Sequence, residues 1–294
     1  MRIGQYESAD GERWCGVTTT DGRVIDLPAA GAAAGVDVPR STTDLLADPE
    51  WQRKANVAIE YAEDSGVGVH DVDGLEQLAP ITTPGKVVCV GLNYRDHAEE
   101  GDNPIPDEPV LFAKFPTSIT GPESAIGWDP GYTEKVDYEA ELVVAIGRDA
   151  RRIDREDAFD HVAGYLAGND VTARDLQRGD GQWVRGKSLD SFAPIGPELV
   201  TTEEIDDPHD LEIWAEVNGK RLQESTTANL IFGVDELVSF CSQAFTLEPG
   251  DLIFTGTPPG VGIYRDPPVL LEDGDTVTVG IDGIGELTNT CAYR

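Results

Sequence analysis

The stretch VDYEAELVVAIG, from Val136 to Gly147, limits the possible folds more than any other part of the chain. Apolar residues occupy every second position in it, and this period of two predicts a strand with one buried face. The same alternation places Asp137, Glu139 and Glu141 together on the opposite face. Carboxylates that close to one another repel, so we expect either a cation beside them or a face that is open to water.

Short strands joined by turn signals dominate the second part of the chain, whereas residues 1 to about 75 resemble a small α/β unit. Asn218-Gly219 and Asp21-Gly22 each lie between two runs of strand-forming residues and predict two-residue hairpin turns. The tail over 275–294 predicts a third hairpin, whereas residues 41–66 predict one helix with a Ser or Thr cap. Because helices do not alternate regularly with the strands, the pattern does not fit a Rossmann fold or a TIM barrel. We therefore expect a mixed α/β fold that is rich in β-structure.

A Pro-rich segment divides the chain into two predicted domains. The sequence LAPITTPGK over 78–86 contains Pro80 and Pro84-Gly85 and is typical of a linker. We expect a small N-terminal α/β domain over residues 1–78 and a larger second domain over residues 79–294, which suits a chain of 294 residues.

The charge of the chain is strongly negative, with 22 basic and 55 acidic residues and a net charge of −33. Such a surface repels nucleic acid and anionic lipid, so neither is expected as a partner. The acids are dispersed among apolar segments, which favours a folded protein adapted to high salt over a disordered chain.

Several absences in the sequence point to the cytoplasm. The sequence has no apolar run of about 18 residues and no apolar N-terminal leader, so we expect no membrane span and no secretion signal. The scattered cysteines form no C-x-x-C pair and are typical of reduced thiols; they are Cys15, Cys89, Cys241 and Cys291.

Acidic residues at two places in the sequence could form a metal site. Glu139 and Glu141 lie in the opening stretch, and Asp170 ends the apolar run LAGND. Oxygen ligands of this kind suit magnesium or manganese. The alternative is that Asn169-Asp170 forms an ordinary turn or helix cap and that the two glutamates face water.

Three further groups of polar residues are candidates for chemistry. His97 lies three residues before Glu100 in NYRDHAEE, so a brief helix would place both on one face and give a base oriented by a carboxylate. Lysines in apolar or Gly-rich settings suit an anionic substrate, and Arg174-x-x-Gln177 and TGTPPGVG could add donors. Each group has a simpler alternative, namely a solvated helix face, a lysine at a strand end, or a plain turn. The residues concerned are Lys114, Lys187, Arg174, Gln177 and Thr257.

Six segments taken together in this order resemble the fumarylacetoacetate hydrolase superfamily. The resemblance covers about residues 84–290, and the first 80 residues resemble the small N-terminal domain of many bacterial and archaeal members. The segments are VCVGLNYRDHAEE, PVLFAKF, VDYEAELVVAIG, AGYLAGNDVTARDLQ, GKSLDSFAPIGP and EPGDLIFTGTPPGVG.

This resemblance implies a fold and a role for each candidate residue. The fold would be a mixed β-sandwich or roll, commonly a homodimer, with Glu139, Glu141 and Asp170 binding Mg²⁺ or Mn²⁺. His97 and Glu100 would form a catalytic dyad on a lid over 93–108, with Lys187 as an active-site lysine. Asp137 has no ligand role in the pattern and would lie behind the ligands or face solvent. The implied substrate contacts are Lys114, Arg174, Gln177 and Thr257.

The implied activity is metal-dependent chemistry on a small anionic 2-oxo acid. The dyad favours hydrolytic cleavage of a carbon–carbon bond in an acylpyruvate or another 2,4-dioxo acid, with an enolate stabilised by the cation as leaving group. The same site could instead decarboxylate or isomerise an oxaloacetate-like acid or a 2-hydroxydienedioate, or dehydrate a 2-keto-3-deoxy sugar acid.

Two alternatives come from other classes of protein. One is a cation-binding acidic β-protein without catalysis. The other is a nicotinamide-dependent dehydrogenase, which the absence of G-x-G-x-x-G after VCVGLNY disfavours.

Overall fold

A computed structural model of the chain describes residues 1–101 and 104–294. The helices are α1 (Leu27–Ala34), α2 (Thr42–Ala47), α3 (Trp51–Ser65), α4 (Arg95–Glu100), α5 (Arg174–Gly179), α6 (Val184–Lys187) and α7 (Val234–Ala244), with short 3₁₀ helices at Pro116–Ser118, Arg155–His161, Thr202–Glu204, Thr227–Asn229 and Gly262–Tyr264.

The described residues form nineteen strands. They are β1 (Arg2–Glu7), β2 (Arg13–Thr18), β3 (Arg23–Asp26), β4 (Val69–Asp71), β5 (Glu76–Leu78), β6 (Val87–Gly91), β7 (Val110–Lys114), β8 (Ile119–Thr120), β9 (Ala125–Trp128), β10 (Val136–Asp137), β11 (Ala140–Ile146), β12 (Val162–Asn169), β13 (Thr172–Ala173), β14 (Ala193–Thr201), β15 (Glu212–Val217), β16 (Lys220–Thr226), β17 (Leu252–Phe254), β18 (Thr276–Ile281) and β19 (Gly285–Tyr293).

A mixed sheet of twelve strands is the largest element of the fold, in the order β4-β3-β2-β1-β14-β12-β11-β17-β6-β7, with β5 on β1 and β8 on β14. A second sheet has the order β16-β15-β18-β19-β9, and β10 and β13 form a small ribbon. Most pairs are antiparallel, but β17 with β6, β14 with β8 and β9 with β19 are parallel. This strand-rich mixture of α and β elements confirms the predicted fold class.

The first strands of the chain extend the same sheet as the rest of the molecule. Ile3 of β1 pairs with Leu199 of β14, and Gln77 Nε2 donates to the carbonyl oxygen of Pro197 at 2.8 Å. Residues 1–78 thus share a sheet with residues 79–294, and a domain boundary at this point stays a prediction.

Strand β11 is buried on both faces, so the prediction of a half-buried strand was wrong. Leu142 and Val144 face a core shared with the five-stranded sheet. Val143 and Ala145 face a second core that helices α1 to α3 cover. The strand is also interrupted, because Tyr138 and Glu139 separate β10 from β11.

Two of the three predicted hairpins form as expected in the structure, and the third has a longer connection than predicted. Asn218-Gly219 forms the predicted two-residue turn, with φ of 52° and 74° and with Val217 opposite Lys220. The tail also forms its predicted hairpin, from β18 and β19. The Asp21-Gly22 turn is wider than predicted, because β2 ends at Thr18 and β3 begins at Arg23, which leaves a four-residue connection.

The predicted helix over 41–66 is two helices. Ser41 caps α2 by accepting the backbone N–H of Asp44, and Gly66 ends α3 with φ of 76°. Between them, α2 ends at Ala47 and α3 begins only at Trp51. Pro49 explains the break, because proline disfavours helical backbone in the preceding residue and lacks the N–H for the helical hydrogen bond.

Candidate active site

The register of two central strands brings three carboxylates together. Ala140 lies opposite Asn169 and Glu141 opposite Gly168 in the β11–β12 pair. The backbone N–H of Asp170 donates to the carbonyl oxygen of Glu139 at 2.9 Å, which fixes Asp170 beside the two glutamates. One oxygen from each carboxylate lies within 4.8 Å of the other two, and all three side chains are buried.

Three buried cations contact this group of acids, and they are Lys114, Arg174 and Lys187. Lys187 Nζ lies 2.7 Å from Glu139 Oε2 and 2.6 Å from Asp170 Oδ2. Arg174 Nη1 lies 2.7 Å from Glu139 Oε1. Glu139 is therefore neutralised from both sides, and Lys187 bridges two of the three carboxylates.

The three acids differ in their electrostatic surroundings. Although burial opposes ionisation, Lys187 and Arg174 lower the pKa of Glu139. Burial and the charges of Asp170 and Glu139 raise the pKa of Glu141 well above its ordinary value, while the backbone N–H of Gly256 donates to its Oε2 at 2.7 Å. The cations of the site therefore do not balance the negative charge that Glu141 carries when it is ionised.

The chemistry of this donor set fits a divalent cation. The three groups Glu139, Glu141 and Asp170 offer carboxylate oxygens within a small space. Magnesium and manganese prefer oxygen ligands, and a bound cation would supply the positive charge that Glu141 lacks.

Asp137 does not belong to this group and does not face solvent. Its side chain is buried and accepts Arg174 Nε at 2.8 Å. It also accepts the backbone N–H groups of Gly262 at 2.8 Å and Ile263 at 3.1 Å. Asp137 therefore orients Arg174 and fixes the loop that follows β17.

A cavity of about 370 Å³ opens next to the three carboxylates. Aromatic and apolar side chains of Phe112, Trp183 and Tyr264 form part of its wall. Most of the residues implied by the family resemblance also line it, and they are His97, Glu139, Glu141, Asp170, Arg174, Gln177, Lys187 and Thr257.

His97 and Glu100 form the predicted pair on α4. His97 Nδ1 lies 3.1 Å from Glu100 Oε2, and Glu100 Oε1 accepts the backbone N–H of Gly260 at 3.0 Å. The glutamate thus orients the imidazole and ties α4 to the loop after β17, which leaves Nε2 of His97 for the cavity. The predicted lid over 93–108 includes residues 102 and 103, which lie outside the described residues.

The other predicted substrate contacts differ in position. Gln177 Oε1 accepts Arg174 Nη1 at 3.2 Å, and Thr257 Oγ1 accepts Gln223 Nε2 at 2.9 Å, both at the cavity wall. Lys114 is different, because its side chain has 0% exposure and its ammonium group contacts Asp170 Oδ1. Lys114 is not among the described residues that line the cavity. Its position therefore gives no support to a direct substrate contact.

Sequence reasoning missed Gln223 and the aromatic wall. Gln223 is fully buried, and its Oε1 accepts the backbone N–H of Ala140 while its Nε2 also donates to the carbonyl oxygen of Pro258. A polar residue in RLQEST carries no motif, and Trp183 lies in a segment without periodicity. The roles of Gln223 and Trp183 depend on contacts between segments that are distant in the chain.

Comparison with known proteins assigns the chain to a family. Residues 86–292 match the fumarylacetoacetate (FAA) hydrolase C-terminal family, and the chain belongs to that family. The mitochondrial oxaloacetate tautomerase of Xenopus laevis is 41% identical over 293 residues, which cover 98% of this chain and 89% of that protein.

Two solved structures share the fold over the whole chain. The fumarylacetoacetate hydrolase from Exiguobacterium antarcticum is 37% identical with a TM-score of 0.85, and all of both chains is covered. The 5-carboxymethyl-2-hydroxymuconate delta-isomerase from Mycobacterium smegmatis is 36% identical with a TM-score of 0.78, over 100% of this chain and 99% of that one.

These relatives support an enzyme of this family over the dehydrogenase and the non-catalytic alternative.

None of the helices in the described part of the chain is long and apolar enough to cross a membrane.

Proposed function

We propose that this protein is a metal-dependent tautomerase of oxaloacetate or a closely similar 2-oxo dicarboxylate. The observation that supports this most is that His97, held by Glu100, lines the same cavity as the three buried carboxylates. The similarity to the Xenopus laevis oxaloacetate tautomerase over nearly the whole chain supports the same substrate class.

The proposed reaction needs only the movement of a proton. In oxaloacetate, tautomerisation takes one proton from carbon 3 and places one on the oxygen of carbon 2. Magnesium or manganese, when bound by Glu139, Glu141 and Asp170, would supply an electrophile that favours negative charge on that oxygen.

The chain's own residues would hold the substrate and move the proton. His97 has its Nδ1 engaged by Glu100, so Nε2 is the nitrogen available to take a proton and return it. Arg174 and Gln177 would present donors to a substrate carboxylate, and Lys187 would limit the negative charge in the site. The apolar wall would restrict the entry of water.

Hydrolysis of an acylpyruvate is the second candidate function, and it was the main prediction from the sequence. The His97–Glu100 pair could also activate a water molecule, and the similarity to the Exiguobacterium antarcticum hydrolase supports this reaction. Tautomerisation needs no water in the cavity, and the curated relative favours it.

One assay series tests the two functions against each other. We would follow the loss of the enol absorbance of oxaloacetate with Mg²⁺ or Mn²⁺, with EDTA as the metal-free control. Pyruvate release from oxaloacetate and from an acylpyruvate would report decarboxylation and hydrolysis. We expect metal-dependent tautomerisation that His97→Gln removes and that His70→Gln, at an exposed histidine in β4, leaves unchanged. Metal-dependent hydrolysis without tautomerisation would overturn the proposal.

We also infer a homodimer that works in a cytoplasm of high salt. Only six acidic residues in the described part of the chain are buried, so most of the charge of −33 lies where counter-ions can reach it. Sedimentation equilibrium in molar KCl should give twice the chain mass of 31.6 kDa, and a monomer would contradict the homodimer.

A further inference from the structure

Helix α4 carries His97 but is too short to fix its own position. It spans six residues, and Tyr94 at its N-cap makes no side-chain capping bond. Isolated helices of fewer than about 12 residues are marginal in water. Contacts with the rest of the protein must therefore determine where His97 lies.

Asp96 makes a network of such contacts at the start of α4. Its Oδ2 accepts Ser225 Oγ at 2.6 Å and Asn229 Nδ2 at 2.9 Å. Asn229 Nδ2 also lies 3.1 Å from Ser225 Oγ, so the three side chains form a closed set. Ser225 belongs to β16 of the five-stranded sheet, and Asn229 ends the 3₁₀ helix that follows it. The network thus ties α4 to a regular part of the fold.

The second oxygen of Asp96 acts directly on the neighbouring residue. Asp96 Oδ1 accepts the backbone N–H of His97 at 3.0 Å. His97 is therefore held from two directions, by Asp96 at its backbone and by Glu100 at its imidazole. Hydrogen bonds to a carboxylate are stronger than those between neutral groups, which makes Asp96 an effective anchor.

We propose that Asp96 is a positioning residue, which holds His97 in place for proton transfer through its bonds to Ser225 and Asn229. This inference rests on the proposed role of His97 in the reaction. Asp96 itself is not one of the described residues that line the cavity, and its network lies on another face of α4. A small displacement of a catalytic group can lower the rate by a factor of about 100.

The test combines kinetics with a measurement that needs no substrate. In oxaloacetate tautomerisation, we expect Asp96→Ala to lower kcat at least tenfold, while KM and the calorimetric Mn²⁺ affinity stay within about twofold of the wild type. Ser225→Ala should lower kcat less, and adding it to Asp96→Ala should cause no further loss. Glu99→Ala, at an exposed acid on the same helix, should match the wild type.

Hydrogen exchange of the peptide over 94–101 distinguishes failure of this inference from failure of the proposed function. Asp96→Ala should speed exchange in α4, and Glu99→Ala should not. If the wild type does not act on oxaloacetate, the proposed function fails and the exchange result still tests the anchor. Unchanged exchange, or an equal loss of kcat in Glu99→Ala, would overturn the anchor. An Asp96→Ala protein with a tenfold weaker Mn²⁺ affinity would also overturn it, because the defect would then extend to the metal site.

Discussion

The ammonium nitrogen of Lys114 lies 2.5 Å from Oδ1 of Asp170, and neither side chain has any exposed surface. Lys114 also donates to the carbonyl oxygen of Val171 at 3.1 Å. The edge strand β7 is thereby joined to the end of β12 at the residue that offers a metal ligand. Lys114 thus supports Asp170 from one side while Lys187 contacts its other oxygen.

Lys114→Met should destabilise the metal-free protein by about 3 kcal/mol, since Asp170 Oδ1 would lose its buried partner and only Lys187, at Oδ2, would remain to balance the carboxylate. Urea unfolding in EDTA would measure the free energy of unfolding. Lys54→Met is the matched control, because its pair with Asp48 has 19% exposure on each side chain. The free energy of unfolding of Lys54→Met should fall by less than about 1 kcal/mol. An equal decrease in the free energy of unfolding in the two variants would show that the buried Lys114–Asp170 pair contributes no more to stability than the partly exposed pair.

Glu141→Gln should abolish metal binding yet leave the metal-free protein as stable as the wild type or more stable. The amide keeps an acceptor for the Gly256 N–H and removes a charge that Asp170 and Glu139 repel. Glu139→Gln should instead destabilise the metal-free protein, because Lys187 and Arg174 would each lose one of two carboxylate partners. Calorimetric Mn²⁺ titrations and melting curves in EDTA would measure both effects. A less stable Glu141→Gln than Glu139→Gln would contradict the argument.

The same carboxyl predicts how stability depends on pH. The folded protein holds the Glu141 proton more tightly than the unfolded chain, since the pKa of Glu141 is raised on folding. Its contribution to stability is therefore present below the unfolded pKa of about 4.3 and is lost as the pH rises through the folded pKa. The urea midpoints of the metal-free wild type and of Glu141→Gln should diverge as the pH rises from the unfolded pKa of about 4.3 through the folded pKa. Parallel pH profiles of the two proteins would contradict this assignment.

The sequence was informative where a local pattern determines the structure. Asn218-Gly219 sets its hairpin because both residues adopt positive φ, and the spacing of His97 and Glu100 places both on one turn of α4. The acid alternation around Glu139 and Glu141 left a cation or open water as alternatives, and the structure places the buried cations Lys187 and Arg174 beside Glu139.

What the sequence could not show depends on contacts between distant strands. The sequence did not show that the acidic face of β11 continues into the second core, where Val143 and Ala145 pack on the side of the N-terminal helices. Asp137 shared the alternation of its neighbours, but the break at Tyr138 gives it Arg174 as partner instead of the metal site. Lys114 looked like a substrate contact because a lysine in an apolar strand does not reveal which carboxylate it meets.

His209 provides a test of helix capping outside the site. Helix α7 begins after Gly233, which has no side chain to cap it, and the backbone N–H of Val234 donates to His209 Nε2 at 2.9 Å. His209→Ala should therefore lower the free energy of unfolding by about 1 kcal/mol, the usual effect of losing a cap. His70→Ala, at an exposed histidine, is the control. Urea unfolding that gives the same midpoint for His209→Ala and the wild type would exclude a capping role.

Salt should raise the stability of this protein more than that of a chain with balanced charge. A net charge of −33 on 294 residues causes self-repulsion, and molar KCl shortens the range of that repulsion to about 3 Å. We expect the melting temperature to rise steadily with KCl from a low-salt buffer. A variant with Glu60→Gln, Glu63→Gln and Asp64→Asn, all exposed on α3, should melt higher in low salt and gain less from KCl. A melting temperature that is indifferent to KCl, or equal gains in both proteins, would refute self-repulsion as a factor that limits stability in low salt.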